Sequence, residues 1–399
     1  MYRFPVRAAA ASFMLALALA SMRANAALPP IDVSGFGTGG FVVTDTGKAE
    51  FGRAQEQTVG ANSEGDVGVD SLFALQGTVH LSDMFSATVQ GMVRRTFNTG
   101  FQLDVPVFFV KAELTRDVSV RVGRIQLPVF MSSDYRQVGY SNTWVRPPIE
   151  VYGQIPFDSD DGADILYRKT VGPADISAQV FYGKTDLNFA GAAIQSRKNW
   201  GANANVTVGP LTLRVGRSQS SFTSRSATVT QLLTAVNAAG FTALANRLNP
   251  VNVPFDFTDF GLSFDDTHLT VQGEITKATG GGFLASTDGQ YLLAGYRVRK
   301  FTPYAIYARQ KVTSARTDTT IPRFGALLPL ALGVDQLINS VGADQHSFAA
   351  GVRWDVHESV DLKLQVDRVS PEGNGLFINV RPGFRGPVTV ASMTLDFVF

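Results

Sequence analysis

Val360-Asp361-Leu362-Lys363-Leu364-Gln365-Val366-Asp367 alternates an apolar side chain with a polar or charged one without a break. Just upstream, across His357-Glu358-Ser359, the residues Phe348, Ala350, Val352 and Trp354 alternate with Ser347, Arg353 and Asp355. Successive side chains of a strand point to opposite faces. Each segment therefore has one oily face and one charged face, and the short link between them reads as a hairpin. The same period recurs upstream, where Leu269, Val271 and Ile275 alternate with Thr270, Gln272, Glu274 and Thr276.

Working outward from these segments, the chain resolves into about 16 strands, each near the ~10 residues that a tilted membrane strand needs. They fall near 31–44, 71–81, 85–94, 105–115, 118–127, 163–171, 176–184, 200–208, 211–217, 257–264, 268–277, 290–299, 302–312, 347–356, 360–369 and 387–399. Links after even-numbered strands are tight, as at Gly172-Pro173 and Gly209-Pro210. Links after odd-numbered strands are expected to be long and rich in Gly, Ser, Asn and Asp. A ring of this many strands is too wide for side chains to fill, and the chain offers no other layer to cover an inward oily face. The oily face is then expected to meet lipid and the charged face to meet water, with closure satisfying every backbone group. The fold class expected is all-β: a transmembrane antiparallel barrel with short periplasmic turns and long extracellular loops.

Composition agrees. The 399 residues include no Cys and 17% charged residues, which excludes disulfides and thiolate chemistry. Arg3 and Arg7 precede an apolar run over 8–20, and Ala24-Asn25-Ala26 supplies small residues before a cut. Residues 1–26 thus read as a cleaved signal peptide and 27–399 as one barrel. Without Arg3, Arg7 and Arg23 the 35 Lys and Arg fall to 32 against 34 Asp and Glu, a formal charge of −2. That balance argues against a nucleic-acid partner.

The chain closes on Met393, Leu395, Phe397 and Phe399 at period two. This resembles the terminal strand of bacterial outer-membrane proteins that the barrel-insertion machinery reads, with Thr394 standing where that pattern favours Gly. With the strand count and loop alternation, the chain as a whole resembles the Gram-negative general (diffusion) porin family. The resemblance implies a water-filled channel, outer-membrane lipid around it, small hydrophilic solutes and ions through it, and a homotrimer. It also implies that the long segment 128–162 folds into the barrel as its third loop and narrows it. That segment carries Asp134, Arg136, Arg146, Glu150, Asp158, Asp160 and Asp161, together with Tyr135, Tyr140, Trp144, Tyr152, Pro147 and Pro148. Aromatics and prolines suit a loop that packs against a wall. It carries both signs of charge, so ion preference stays open.

A basic wall is expected opposite the loop. Val120-Arg121-Val122-Gly123-Arg124 and Leu213-Arg214-Val215-Gly216-Arg217 share one frame. With the apolar members outward, Arg121 and Arg214 face the lumen. The same parity assigns Arg94, Lys111, Arg168, Arg297, Arg299, Arg309 and Arg353 to that face, with Glu113, Asp164, Glu274, Asp355 and Asp361. These charges either pair to brace the wall or, left unpaired, set a transverse field that orients polar solutes.

No cofactor or metal is expected. Gly35-Phe36-Gly37-Thr38-Gly39-Gly40 satisfies G-x-G-x-x-G, but Phe41-Val42-Val43 continues a strand where a dinucleotide fold needs a helix. The acidic run 158–164 invites a divalent ion but lacks the EF-hand spacing. His80, His268, His346 and His357 make no ligand pair. Segments 229–248 and 324–341 have helical character and are expected to cap the barrel mouth. The chain thus reads as a passive channel rather than an enzyme. Two alternatives stand beside it: a channel selective for an anionic or aromatic solute, and an outer-membrane lipolytic enzyme.

Overall fold

In a computed structural model that describes residues 30–97, 99–189 and 192–399, the chain closes into one barrel. The expected signal, 1–26, lies outside the described residues. The strands are β1 (Ile31–Thr44), β2 (Leu72–His80), β3 (Phe85–Arg95), β4 (Phe101–Glu113), β5 (Val118–Gln126), β6 (Ser159–Val171), β7 (Ala174–Phe189) and β8 (Ala192–Val208). They continue with β9 (Leu211–Arg225), β10 (Val253–Asp265), β11 (Leu269–Gly280), β12 (Thr287–Tyr296), β13 (Phe301–Val312), β14 (Gln345–His357), β15 (Val360–Pro371) and β16 (Val388–Val398). Every strand pairs antiparallel with its sequence neighbours, and β1 closes on β16 with Gly37 opposite Phe397. Among the described residues no helix is long and apolar enough to cross a membrane.

The inversion expected from the alternation is present. Ile275, Tyr182 and Phe348 on the outer face are 62%, 60% and 59% exposed, whereas Asp361, Lys363 and Thr394 on the inner face are fully buried. An oily exterior around a polar interior is the opposite of a soluble barrel, and it fits a lipid surround. Replacing Ile275 by arginine near the middle of β11 should therefore cost about 2–4 kcal/mol of folding stability in lipid. Urea unfolding of the barrel in bilayers measures this; a neutral result would place Ile275 in water.

At the short-turn end all seven links are tight, for instance 172–173, 209–210 and 358–359. The opposite end is less uniform than expected. Segments 45–71, 127–158, 226–252, 313–344 and 372–387 are long, but the links after β3, β7 and β11 are short because the strands themselves run further. β7 and β8 pair as far as Phe189 and Ala192. Beyond the oily belt both faces of a strand meet polar surroundings, so backbone pairing continues after the apolar alternation has stopped.

The expected helical loops form α2 (Ala227–Ala238) and α3 (Thr242–Arg247) after β9, and α4 (Leu328–Ile338) after β13; α1 (Ile149–Tyr152) lies in the third long segment. Ser226 caps α2, its Oγ accepting from the Val229 N–H. Leu233, Val236, Leu244, Val334 and Leu337 bury one another with Val253 and Phe283 from the rim of the wall. Their apolar faces are thus spent on each other at the long-loop mouth.

Candidate pore and constriction

Segment 127–158 folds into the barrel. Phe130, Trp144, Val151, Tyr152, Ile155 and Phe157 from it bury against Phe257, Tyr291, Leu293 and Ile306 of β10, β12 and β13. Phe130 stacks on Tyr152 with ring centres 4.6 Å apart, and Trp144 meets Tyr291 edge-on at 5.4 Å. An apolar inner wall at this place was not foreseen. The signal was Tyr291-Leu292-Leu293-Ala294, a run that does not alternate and so marks a strand apolar on both faces, Leu292 outward and Tyr291 and Leu293 against the loop.

Polar anchors tie the loop around the circumference. The Met131 N–H donates to Glu274 Oε1 (2.6 Å), and the Tyr152 and Tyr291 hydroxyls donate to Glu274 Oε2 (2.6 and 3.0 Å). Burial, reinforced by the Glu274 carboxylate, raises the Tyr152 phenol well above its ordinary range, so it stays a proton donor. Arg146 grips Asp70 of segment 45–71 through Nε (2.9 Å) and Nη2 (2.5 Å), and Nη2 also donates to Ser392 Oγ (2.6 Å). Glu150 accepts from Gln345 Nε2 (3.0 Å). Arg353 donates to the Tyr140 and Asn142 carbonyls (2.7 and 3.0 Å), and Lys363 to the Gly139 carbonyl (2.7 Å). At Gly139 a Cβ would run into the Asp396 carboxylate and the Thr38 hydroxyl. The loop can come this close to the wall there only because the residue has no side chain.

Asp158 ends the loop between Arg94 (2.8 Å) and Arg136 (3.5 Å). Burial alone would raise its carboxyl; the two guanidiniums outweigh that and hold it well below the usual carboxylate range. Asp160 and Asp161 belong to β6 rather than to the loop, which is shorter than the expected 128–162. Asp160 faces inward and accepts from Asn199 Nδ2 (2.7 Å), whereas Asp161 faces outward and pairs with Arg124. Alternate faces thus split the acidic run 158–164 into separate partnerships. Among the described residues no cluster of three His, Cys, Asp or Glu side chains could hold a metal.

Of the expected basic wall, Arg94, Lys111, Arg121, Arg168, Arg214 and Arg353 point inward. Most are spent on partners. Arg94 also reaches Asp104 (3.3 Å), Lys111 pairs with Glu113, Arg121 Nε binds Asp164 Oδ1 (3.0 Å), and Arg353 meets Asp355 and Asp361. Arg214 pairs with Asp259 (2.8 Å) and donates to the Pro128 carbonyl of the loop (2.7 Å). Three placements differ from expectation. Arg297 and Arg299 lie beyond Tyr296, where β12 ends, in the turn before β13; Arg297 binds Asp265 (2.5 Å) there. Arg309 shares the outward face of β13 with Phe301, Ala305 and Tyr307, while Tyr304, Ile306 and Ala308 face inward. With apolar residues on both faces of β13, alternation gave Arg309 no reliable phase.

The terminal strand places Met393 and Leu395 outward. The Phe397 and Phe399 rings lie over Gly37 and Gly35, where a side chain on either glycine would displace them. Sequence reasoning missed Asp70, Asp259, Lys363 and Asp396, the partners that seat the loop and the arginines. Each acts across a large sequence gap, and no local motif announces such contacts.

One recess of about 270 Å³ opens between the loop and β6–β10. Asp134 and Tyr135 line it from the loop, and Arg168, Gln179, Asn203 and Arg214 line it from the wall.

The fold is that of the porin-like outer-membrane barrels. Among solved structures it is similar to OmpF of Salmonella typhi (13% identity, 92% of this chain and 97% of that one, TM-score 0.58). It is also similar to the anion-selective porin of Comamonas acidovorans (13% identity, 93% and 99% covered, TM-score 0.53). A third is the outer membrane channel DcaP of Acinetobacter baumannii (10% identity, 93% and 97% covered, TM-score 0.56). No family model matches the chain, and no curated protein matches it.

Proposed function

We propose that the protein is an outer-membrane porin of a Gram-negative cell, a water-filled channel through which small hydrophilic solutes and ions diffuse down their gradients without catalysis. The observation that carries this reading is the inverted barrel with an anchored inner loop: an oily exterior, a charged interior, and a segment packed against the inner wall. Selection then rests on bore width and on the few charges left unpaired. The aromatic-capped terminal strand is the part offered to the insertion machinery. Three copies associate, as in the trimer form of the Vibrio cholerae outer membrane protein OmpT, which shares 11% identity over 93% of this chain and 99% of that one (TM-score 0.52).

The alternative of a channel selective for an anion finds little support in Arg121 and Arg214, because Asp164 and Asp259 neutralise them. For a lipolytic reading, the described serine–histidine contact is Ser359 Oγ to His357 Nδ1 at 3.5 Å. It sits in a short turn and draws in no carboxylate among the contacts described. Liposome swelling tests the proposal. Proteoliposomes in isotonic sugars should swell at rates that fall with sugar size; swelling no faster than protein-free vesicles would refute it.

A further inference from the structure

Pairing leaves the constriction with very little free charge. The loop 127–158 carries three carboxylates. Asp158 is held by Arg94 and Arg136, and Glu150 accepts from Gln345. Asp134 makes no hydrogen bond or ion pair among the described residues, and its side chain is exposed. The inward cations of the wall show the same economy. Arg94, Lys111, Arg121, Arg214, Arg353 and Lys363 are all engaged by carboxylates. Arg168 alone among the described inward wall cations has a guanidinium without a partner.

These two unspent charges line the same recess, one on the loop and one on the wall facing it. The third charge in the lining, Arg214, is held by Asp259, and the rest is rich in hydrogen-bonding groups. Gln179, Asn203 and Asn205 contribute amides, and Ser177 and Thr212 contribute hydroxyls. The recess lies toward the short-turn end, since Arg168 is near the end of β6 and Ser177 near the start of β7. A lone anion drawn to Arg168 would meet repulsion from Asp134, and a lone cation the reverse. A solute that carries both charges satisfies both groups, each with a charge-assisted hydrogen bond. About 270 Å³ is room for a small one.

We propose that this recess is a binding subsite for small zwitterions of the amino-acid type, the ammonium directed to Asp134 and the carboxylate to Arg168. The proposal rests on the channel reading and deepens it. A weak site inside a channel speeds flux at low concentration and saturates at high concentration, whereas a bare bore gives flux linear in concentration.

The test measures uptake of radiolabelled alanine into proteoliposomes of the full-length protein, beside lactate as the anion and lactamide as the neutral molecule of matched size. Alanine uptake should saturate while lactamide uptake stays linear. Arg168→Gln and Asp134→Asn should each lower the alanine-to-lactamide uptake ratio at low concentration by about tenfold, the loss of one charge-assisted contact. The double exchange Arg168→Asp with Asp134→Arg should recover part of that ratio, because a zwitterion can turn around. Lactate uptake separates the classes: Asp134→Asn should raise it and Arg168→Gln lower it. Alanine uptake that is linear and no faster than lactamide would overturn the subsite while leaving the channel standing. So would an Asp134→Asn variant with an unchanged alanine ratio, which would make Arg168 a site for anions only. Failure of lactamide and alanine alike to enter would overturn the channel reading, and the subsite with it.

Discussion

Arg146→Ala should be the most damaging single change to the constriction. The guanidinium and the Asp70 carboxylate are both almost fully buried, 4% and 1% exposed, and the contact is bidentate. Removing the cation leaves Asp70 buried without its counter-charge, a loss of about 3–5 kcal/mol. Ser392 Oγ and Asp367 lose a partner at the same time. Because Asp70 stands at the end of the first long segment and Arg146 in the inner loop, the change should unfasten both. Arg146→Lys should fall between, since an ammonium cannot reproduce the planar fork. The readouts are urea unfolding in lipid and single-channel current. The alanine variant should unfold at lower urea and give larger, noisier current steps. Unchanged stability with quiet, unchanged steps would mean that this pair does not seat the loop.

Trp144→Ala should produce an effect of similar size by a different route. The indole is 1% exposed and packs edge-on against both Tyr152 and Tyr291. Truncating a buried aromatic of this size costs about 3–5 kcal/mol through lost contacts and the cavity left behind. The loop would lose the centre of the apolar cluster that presses it on β12. Trp200 and Trp354, the other two tryptophans, are 48% and 40% exposed on the outer face. The variant should therefore lose a distinct buried-indole emission component. Limited proteolysis should then cut within 127–158, where the native protein should resist. Resistance equal to the native protein would show that the polar anchors alone hold the loop.

The fold was legible because its physics is local and repeated. The alternation in β14 and β15 states which face is oily, and tight turns such as Gly172-Pro173 state which end is which. Arg121 and Arg214 were placed inward from the same rule, because valine and leucine flank them on the other face. The rule failed where it lost phase. β13 has apolar residues on both faces, so Arg309 was misassigned, and β12 ends at Tyr296, short of Arg297 and Arg299. The extra length of β7 and β8 was hidden because strands beyond the oily belt need no alternation. The site was less legible than the fold. That the third segment folds inward followed from a likeness of pattern, but which charges remain free depends on contacts between distant parts of the chain. Lys363 reaches Gly139 and Arg146 reaches Asp70 across gaps no motif spans. The paired charges dominate, and Arg168 and Asp134 are left without partners in the lining of the recess.

The central claim is that oily side chains face lipid around a polar bore that conducts. Planar-bilayer recording of purified, folded protein tests it most directly. Addition to one side of the membrane should raise the current in discrete steps of reproducible size, each proportional to salt concentration. A folded barrel that enters the bilayer yet yields no such steps would contradict the account.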